Sequence, residues 1–241
     1  MKTLIVANWK LNPQTAKEAK ELFGAVKKGV KDLKSAELVI CPPFVYLPLL
    51  KGLTLGAQNV FFKEKGAFTG EISPLMLKDL KVKYVILGHS ESRKHLNETD
   101  EMISKKMKSI LDDGLMPILC VGENEGENKQ EVIERQIKGA LEGLSSGQAK
   151  NVVIAYEPVW AIGTGKNCSI DETMSSVLSI RKVISKLYSE EIANNTRILY
   201  GGSVDSSNAG SYLKEAEVQG LLVGGSSLDA EEFIKIVKSA I

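Results

Sequence analysis

Apolar residues along this chain gather in eight short runs: Leu4–Ala7, Leu38–Cys41, Leu53–Ala57, Tyr84–Leu87, Pro117–Val121, Val152–Tyr156, Arg197–Tyr200 and Leu221–Val223. Each is nearly continuous rather than alternating, as strands covered on both faces are, so the pattern predicts a parallel sheet. Between them lie longer stretches with apolar residues at helical spacing. Asn12-Pro13 predicts the start of a first helix, a cap and a first-turn proline ahead of Ala16, Ala19, Leu22, Phe23 and Val26. Ser73-Pro74 predicts another in the same way. Further helices are expected over Thr99–Leu111, Gln130–Leu144, Asp171–Leu187, Ser206–Leu213 and Ala230–Val237, with a short one after Pro42-Pro43.

Strand and helix alternate about eight times without a low-complexity linker, and a closed (β/α)8 barrel of the α/β class is the simplest solution. It is expected to span residues 1–241 as one catalytic domain. A doubly wound open sheet is the runner-up, but that fold usually carries a glycine fingerprint in its first strand-to-helix turn. Here that turn reads Asn8-Trp9-Lys10-Leu11-Asn12, with no glycine.

Composition narrows the class of partner. The 241 residues carry 31 basic and 30 acidic side chains, a net charge of +1, so no global field draws nucleic acid or an anionic membrane, and neither is expected as a partner. Any anion must be bound locally. Cys41, Cys120 and Cys168 are an odd number with no close pair, which argues against a disulfide framework and a zinc site and fits a reducing compartment. The N-terminal apolar run is short for a secretory signal, and no segment approaches the ~20 apolar residues of a membrane span. A soluble, cytoplasmic protein is expected.

Barrel chemistry sits at the C-terminal ends of the strands, which makes the residues after each run the candidates. Glu157 directly follows the buried run Val152–Ala155, where partial desolvation makes a carboxylate a competent base. Taken alone, it reads more readily as a strand-end acid paired with a lysine, since structural ion pairs also perturb carboxylates. The apolar, glycine-containing segment after it, Pro158-Val159-Trp160-Ala161-Ile162-Gly163-Thr164-Gly165-Lys166, reads as a lid. It is neither a Walker loop nor a dinucleotide fingerprint, since Trp160 and Cys168 stand where those motifs need glycine.

Asn8 and Lys10 lie two residues apart and so face one side of an extended chain, with Trp9 facing the other. Lys10 suits a phosphate dianion or a developing oxyanion, or is merely a solvated strand-end lysine. His89 follows the fourth run, with Ser90 read as the cap of a helical turn beyond it. An imidazole near a helix N-terminus is biased toward neutrality and donates a hydrogen bond to a carbonyl. His95, among Lys94, Asn97 and Glu98, reads as part of a solvated helix face. Gly201-Gly202-Ser203 and Gly224-Gly225-Ser226 follow the seventh and eighth runs, where barrels often bind phosphate through backbone N–H groups.

Five strings in order, Asn8-Trp9-Lys10, Gly88-His89-Ser90-Glu91, Tyr156 to Lys166, Tyr200-Gly201-Gly202-Ser203-Val204 and Leu222-Val223-Gly224-Gly225, resemble the triosephosphate isomerase family along essentially the whole chain. The resemblance implies a metal-free, cofactor-free enzyme that interconverts D-glyceraldehyde 3-phosphate and dihydroxyacetone phosphate. It implies Glu157 as the proton-shuttling base and His89 as a neutral electrophile that protonates the enediolate oxygen. Lys10 would balance charge, with Asn8 donating beside it. Gly163, Ser203, Gly224 and Gly225 would hold phosphate through the backbone, and Glu91 would support Lys10. It also implies a homodimer: the loop Gln58–Phe62 leading into Gly66–Glu71 would enter a pocket beside the partner's active site, with Phe68 and Thr69 at the contact.

The chain departs from the family at Ser92, where arginine is common, and at Asn167-Cys168, where the lid usually ends in threonine or serine followed by alanine. It also looks a few residues shorter between Val121 and Gln136. Two other functions compete. A Schiff-base lyase or aldolase needs a lysine projecting within a strand, for which only Lys83, at a strand edge, is available. A non-catalytic scaffold would be favoured by loss of Glu157, His89 or Lys10, and all three are present.

Overall fold

The computed structural model of the protein describes residues 1–33, 35–163 and 167–240. Eight strands are present: β1 (Thr3–Asn8), β2 (Ala36–Cys41), β3 (Thr54–Ala57), β4 (Val82–Leu87), β5 (Met116–Val121), β6 (Val153–Tyr156), β7 (Arg197–Tyr200) and β8 (Gly220–Val223). All neighbouring pairs are parallel, and β8 returns to β1 to close a barrel. Closure excludes the open doubly wound sheet, and the (β/α)8 barrel is what the apolar runs predict.

The runs are continuous because both strand faces are buried, but the two faces serve different cores. Ile5, Ala7, Val85, Leu119 and Ile154 pack outward against the helices. Leu4 and Val6, Ile118 and Cys120, Val153 and Ala155, Leu199 and Leu222 form a separate inner core. The two-residue period of a strand carries this inner series one step further at the mouth. On β1 the next residues are Asn8 and then Lys10. On β5 it is Gly122, on β6 Glu157, on β7 Gly201 and on β8 Gly224.

The helices are α1 (Ala16–Gly29), α2 (Pro74–Asp79), α3 (Ser90–His95), α4 (Asp100–Asp112), α5 (Lys129–Leu141), α6 (Ser146–Ala149), α7 (Ile170–Leu187), α8 (Glu190–Asn195), α9 (Ala209–Glu215) and α10 (Ala230–Lys238). Short 3₁₀ turns cover Phe44–Leu49, Val159–Ala161 and Gly225–Leu228. Ser73-Pro74 opens α2 as expected, with the Ser73 hydroxyl accepting from Met76 N–H.

Three helix boundaries differ from the expectation. Asn12-Pro13 lies in the loop before α1, which is capped by Thr15: its side chain accepts from Glu18 N–H while Glu18 reaches back to Thr15 N–H. That reciprocal pair satisfies two otherwise orphaned donors. The stretch expected as one helix to Leu144 breaks after Leu141, and Ser145 caps a separate α6. The segment from Ser206 starts its helix only at Ala209, because the Asp205 carboxylate takes the N–H groups of Ser207 and Asn208 and holds them in a turn. Helices α3 and α8 are too short for a periodic signal.

Lys83 sits at the N-terminal end of β4, far from the mouth, and pairs with Glu37 at 2.6 Å. Burial raises the Glu37 carboxyl, but hydrogen bonds from Lys83, Arg197 and Tyr84 outweigh this and bring it down to about 2. The lysine that a Schiff-base mechanism would need is therefore engaged at the wrong end of the barrel.

Candidate active site

Glu157 is the first residue beyond β6 and only 2% exposed. Its N–H donates to Val121 C=O at 2.7 Å, and its own carbonyl lies so close to Gly122 that a Cβ there would stand 1.8 Å from it. Gly201 leaves room for the side chain, since a Cβ at that position would lie 2.9 Å from Glu157 Cγ. Gly201→Ala is therefore expected to displace the carboxylate and lower kcat by up to about 10²-fold, the scale of a 1 Å misplacement. Steady-state kinetics beside a melting curve separates this from unfolding. Beside Glu157, burial first and the carboxylate second push the Cys120 thiol well up, so it stays protonated.

His89 is 6% exposed and is itself the cap of α3: Nδ1 accepts Glu91 N–H at 3.2 Å. Ser90, expected as that cap, is instead the first helical residue, and its N–H donates to Glu157 Oε2 at 3.4 Å. An accepting Nδ1 places the ring proton on Nε2, which stands 3.2 Å from Glu157 Oε1. Gly88, at φ +68°, gives the backbone a left-handed step ahead of His89, and its N–H donates to Glu98 Oε2 at 3.0 Å. Glu98 is not on a solvated face. It is buried and ion-paired to Lys106, which also donates to Asn59 Oδ1 at 2.9 Å.

Lys10 is bound to Glu91 Oε1 at 2.5 Å. Burial alone would raise the Glu91 carboxyl, but the hydrogen bond and charge of Lys10 bring it below its ordinary value. The Lys10 backbone is in the left-handed region at φ +53°. It is held there from both sides: Lys10 N–H donates to Asn8 Oδ1 at 3.0 Å, and Lys10 C=O accepts from Gln58 Nε2 at 2.8 Å. Gln58 also donates to Cys41 C=O, tying this turn to β2. A lysine in that conformation costs energy that the surroundings must supply, a feature common where function fixes a side chain. Trp9 points away into the outer core, as expected.

One cavity of about 130 Å³ gathers Asn8, Lys10, His89, Glu157, Gly163, Ser203, Gly224 and Gly225. Ile162, Gly201 and Gly202 complete much of its wall. Its size suits a substrate of few carbons, and two glycine segments leave backbone donors unobstructed on one side. The Lys10 side chain reaches across, its Cε 3.4 Å from where a Gly224 Cβ would be.

The expected lid begins as a tight turn. Val159 N–H donates to Glu123 C=O at 3.0 Å, and the Glu123 carboxylate accepts from Trp160 Nε1 at 3.0 Å and from the Tyr156 hydroxyl at 3.2 Å. Ala161 is buried, and Ile162 and Gly163 line the cavity. Thr164, Gly165 and Lys166 lie outside the described residues.

A second cavity of about 230 Å³ adjoins the first and shares Asn8, Lys10 and His89, with Leu11, Gln58, Glu91, Ser92, His95 and Leu96 as its other walls. His95 is exposed, as expected, and also borders this hollow. In the loop after β3, Phe61 packs at a tilt against Phe62 and Phe68 at centroid distances of 4.3 and 4.8 Å, and Phe68 remains 42% exposed. The rings pack on one another rather than under the barrel.

Sequence reasoning missed Gln58, Glu123, Glu98 with Lys106, and the steric role of Gly201. Gln58 and Glu123 act on groups at the ends of neighbouring strands, the Lys10 and Cys41 carbonyls and the Tyr156 hydroxyl and Trp160 indole, and no local spacing signals such contacts.

The triosephosphate isomerase family profile matches residues 3–240. Over 248 aligned positions the chain is 47% identical to a triosephosphate isomerase of Clostridium botulinum (strain Loch Maree / Type A3), covering 98% of this chain and 99% of that one. A triosephosphate isomerase of Alkaliphilus oremlandii (strain OhILAs) is 46% identical over 246 positions, covering 98% of each.

Proposed function

Because the chain belongs to the triosephosphate isomerase family, we propose that its barrel mouth interconverts D-glyceraldehyde 3-phosphate and dihydroxyacetone phosphate, a step of glycolysis and gluconeogenesis. The observation that carries this reading is the pairing of a buried carboxylate with an imidazole Nε2–H at 3.2 Å in one small cavity with Lys10.

The phosphate is held by backbone N–H groups of Gly163, Ser203, Gly224 and Gly225, which places the three carbons between Glu157 and His89. The carbonyl oxygen accepts from His89 Nε2 and is faced by Lys10 and Asn8. The Glu157 carboxylate removes the proton from the carbon next to the carbonyl. The electron pair moves into an enediolate, whose negative oxygen is stabilised by the Lys10 charge and the Nε2–H donor in a desolvated site. Glu157 returns its proton to the neighbouring carbon while His89 relays a proton between the two oxygens. The lid shields the enediolate from water, which would otherwise let phosphate leave.

The two imidazoles supply the test. His89→Gln is expected to depress kcat about 10²-fold or more, the scale of lost acid–base help. His95→Gln is expected to leave it within about twofold, as for an exposed position away from the reacting atoms. The reverse ranking would move the electrophile elsewhere.

The working unit is a homodimer. Leu11, Val45, Leu49, Phe68, Leu75, Met76 and Leu96 are exposed large apolar residues, and all follow the C-terminal ends of four adjacent strands, β1 to β4. On the opposite half of the barrel only Leu178 and Leu187 of α7 are comparably exposed among the described residues. The hollow beside Lys10, walled by Leu11 and Leu96, is a receptacle for the partner's Phe68 and Thr69. No described helix is long and apolar enough to cross a membrane, and a cytoplasmic location fits a glycolytic step.

A further inference from the structure

Cys168 lies two residues past the lid segment and directly before Ser169, the cap of α7. Both of its backbone polar groups end on tyrosine hydroxyls. Cys168 N–H donates to the Tyr200 hydroxyl at 3.3 Å, and the Tyr212 hydroxyl donates to Cys168 C=O at 2.5 Å. The two hydroxyls are 3.3 Å apart. A tyrosine has one proton, and Tyr212 has given its own to the carbonyl, so Tyr200 donates in that contact. The result is a closed ring, from Cys168 N–H to Tyr200 to Tyr212 and back to Cys168 C=O, in which each hydroxyl donates once and accepts once. The phenol rings stack at 4.0 Å and 19°, and all three residues are buried. Burial, reinforced by the hydrogen bond to Tyr212, pushes the Tyr200 hydroxyl far up, so the ring keeps its protons across the working range.

We infer that Tyr212 is a positioning residue for the isomerisation, its hydroxyl closing a hydrogen-bond ring that fixes the Cys168 backbone at the start of α7 and ties it to Tyr200 beside the phosphate segment. The inference rests on reading Pro158 to Lys166 as a lid. The coupling runs through Tyr200, the last residue of β7. A Cβ at Gly202 would lie 2.3 Å from the Tyr200 hydroxyl, so the segment Gly201-Gly202-Ser203 packs directly on the ring. Tyr212 comes from α9, and thus brings a third, rigid element to bear on the hinge. Removing its hydroxyl leaves a buried carbonyl without its donor and the Tyr200 proton without its acceptor, and in a closed cycle one deletion weakens every remaining link.

Tyr212→Phe keeps the stacked ring and deletes only the hydroxyl. Two probes separate hinge positioning from loosening of the site: phosphoglycolate, whose carboxylate reaches toward Glu157 and His89 as the enediolate does, and inorganic phosphate, which needs the phosphate segment alone. The variant is expected to bind phosphoglycolate about tenfold more weakly, with kcat/KM falling in step and inorganic phosphate affinity within twofold of wild type. Unchanged phosphoglycolate affinity overturns the inference, and so does an equal loss for both probes. Because either deletion opens the same cycle, Tyr200→Phe combined with Tyr212→Phe is expected to be no weaker than the worse single variant. Additive losses near a hundredfold overturn the ring. A wild-type protein that binds phosphoglycolate but does not isomerise glyceraldehyde 3-phosphate would instead fault the isomerase reading.

Discussion

Glu157→Gln is expected to lower kcat by more than the ~10²–10⁴-fold typical of removing acid–base help. The variant removes the group that takes and returns the carbon-bound proton, and no neighbour replaces it. Glu91, the other carboxylate beside the cavity, is committed to Lys10 at 2.5 Å. The Cys120 thiol next to Glu157 is held protonated chiefly by burial, which the substitution leaves in place. Substrate binding is expected to survive, since glutamine keeps the shape and an acceptor for Ser90 N–H, so KM should move by only a few-fold. A variant that keeps a tenth of the wild-type kcat would take Glu157 out of this role.

Phe68→Asp combined with Thr69→Arg is expected to yield monomers with sharply reduced kcat. Each large apolar side chain covered by a partner contributes roughly 1.5–3 kcal/mol if fully buried, and Leu11, Val45 and Leu96, at 85%, 70% and 65% exposure, have the most to gain. A charge placed at such a desolvated contact is strongly disfavoured. Activity falls along with assembly because the hollow that receives the loop is walled by Lys10, His89 and Gln58. Gln58 holds the left-handed Lys10 backbone, so an unfilled hollow loosens the residue that balances the enediolate charge. Light scattering that finds a fully active monomer at assay concentration would defeat this link.

Much of this arrangement is legible from periodicity. Once Leu4 and Val6 are placed inside the barrel, Asn8 and Lys10 must follow at its mouth, and Val153 and Ala155 lead to Glu157 in the same way. The eight strands emerged because buried parallel strands are apolar on both faces. What periodicity does not carry is which polar side chains pair and where close packing demands a glycine. Glu98 stands in a polar run beside His95 and reads as solvated, yet it is buried against Lys106 and holds the Gly88 turn. Asn12-Pro13 satisfies the local rule for a helix start, but the Thr15–Glu18 capping box forms instead. Gly201 reads as a phosphate-loop glycine, and only packing shows that it leaves room for Glu157. The tyrosine ring around Cys168 joins β7 to α9, and no spacing in the chain announces it.

The central claim is that Glu157 carries a proton between adjacent carbons through an enediolate. Running the isomerisation in deuterium oxide and locating the label by nuclear magnetic resonance tests it most directly, because a proton held on a carboxyl group exchanges with solvent while a hydride passed from carbon to carbon does not. The account predicts dihydroxyacetone phosphate and recovered glyceraldehyde 3-phosphate labelled at the carbons that exchange the proton, with labelling and turnover both lost in Glu157→Gln. Full conversion to product without deuterium on carbon would contradict it.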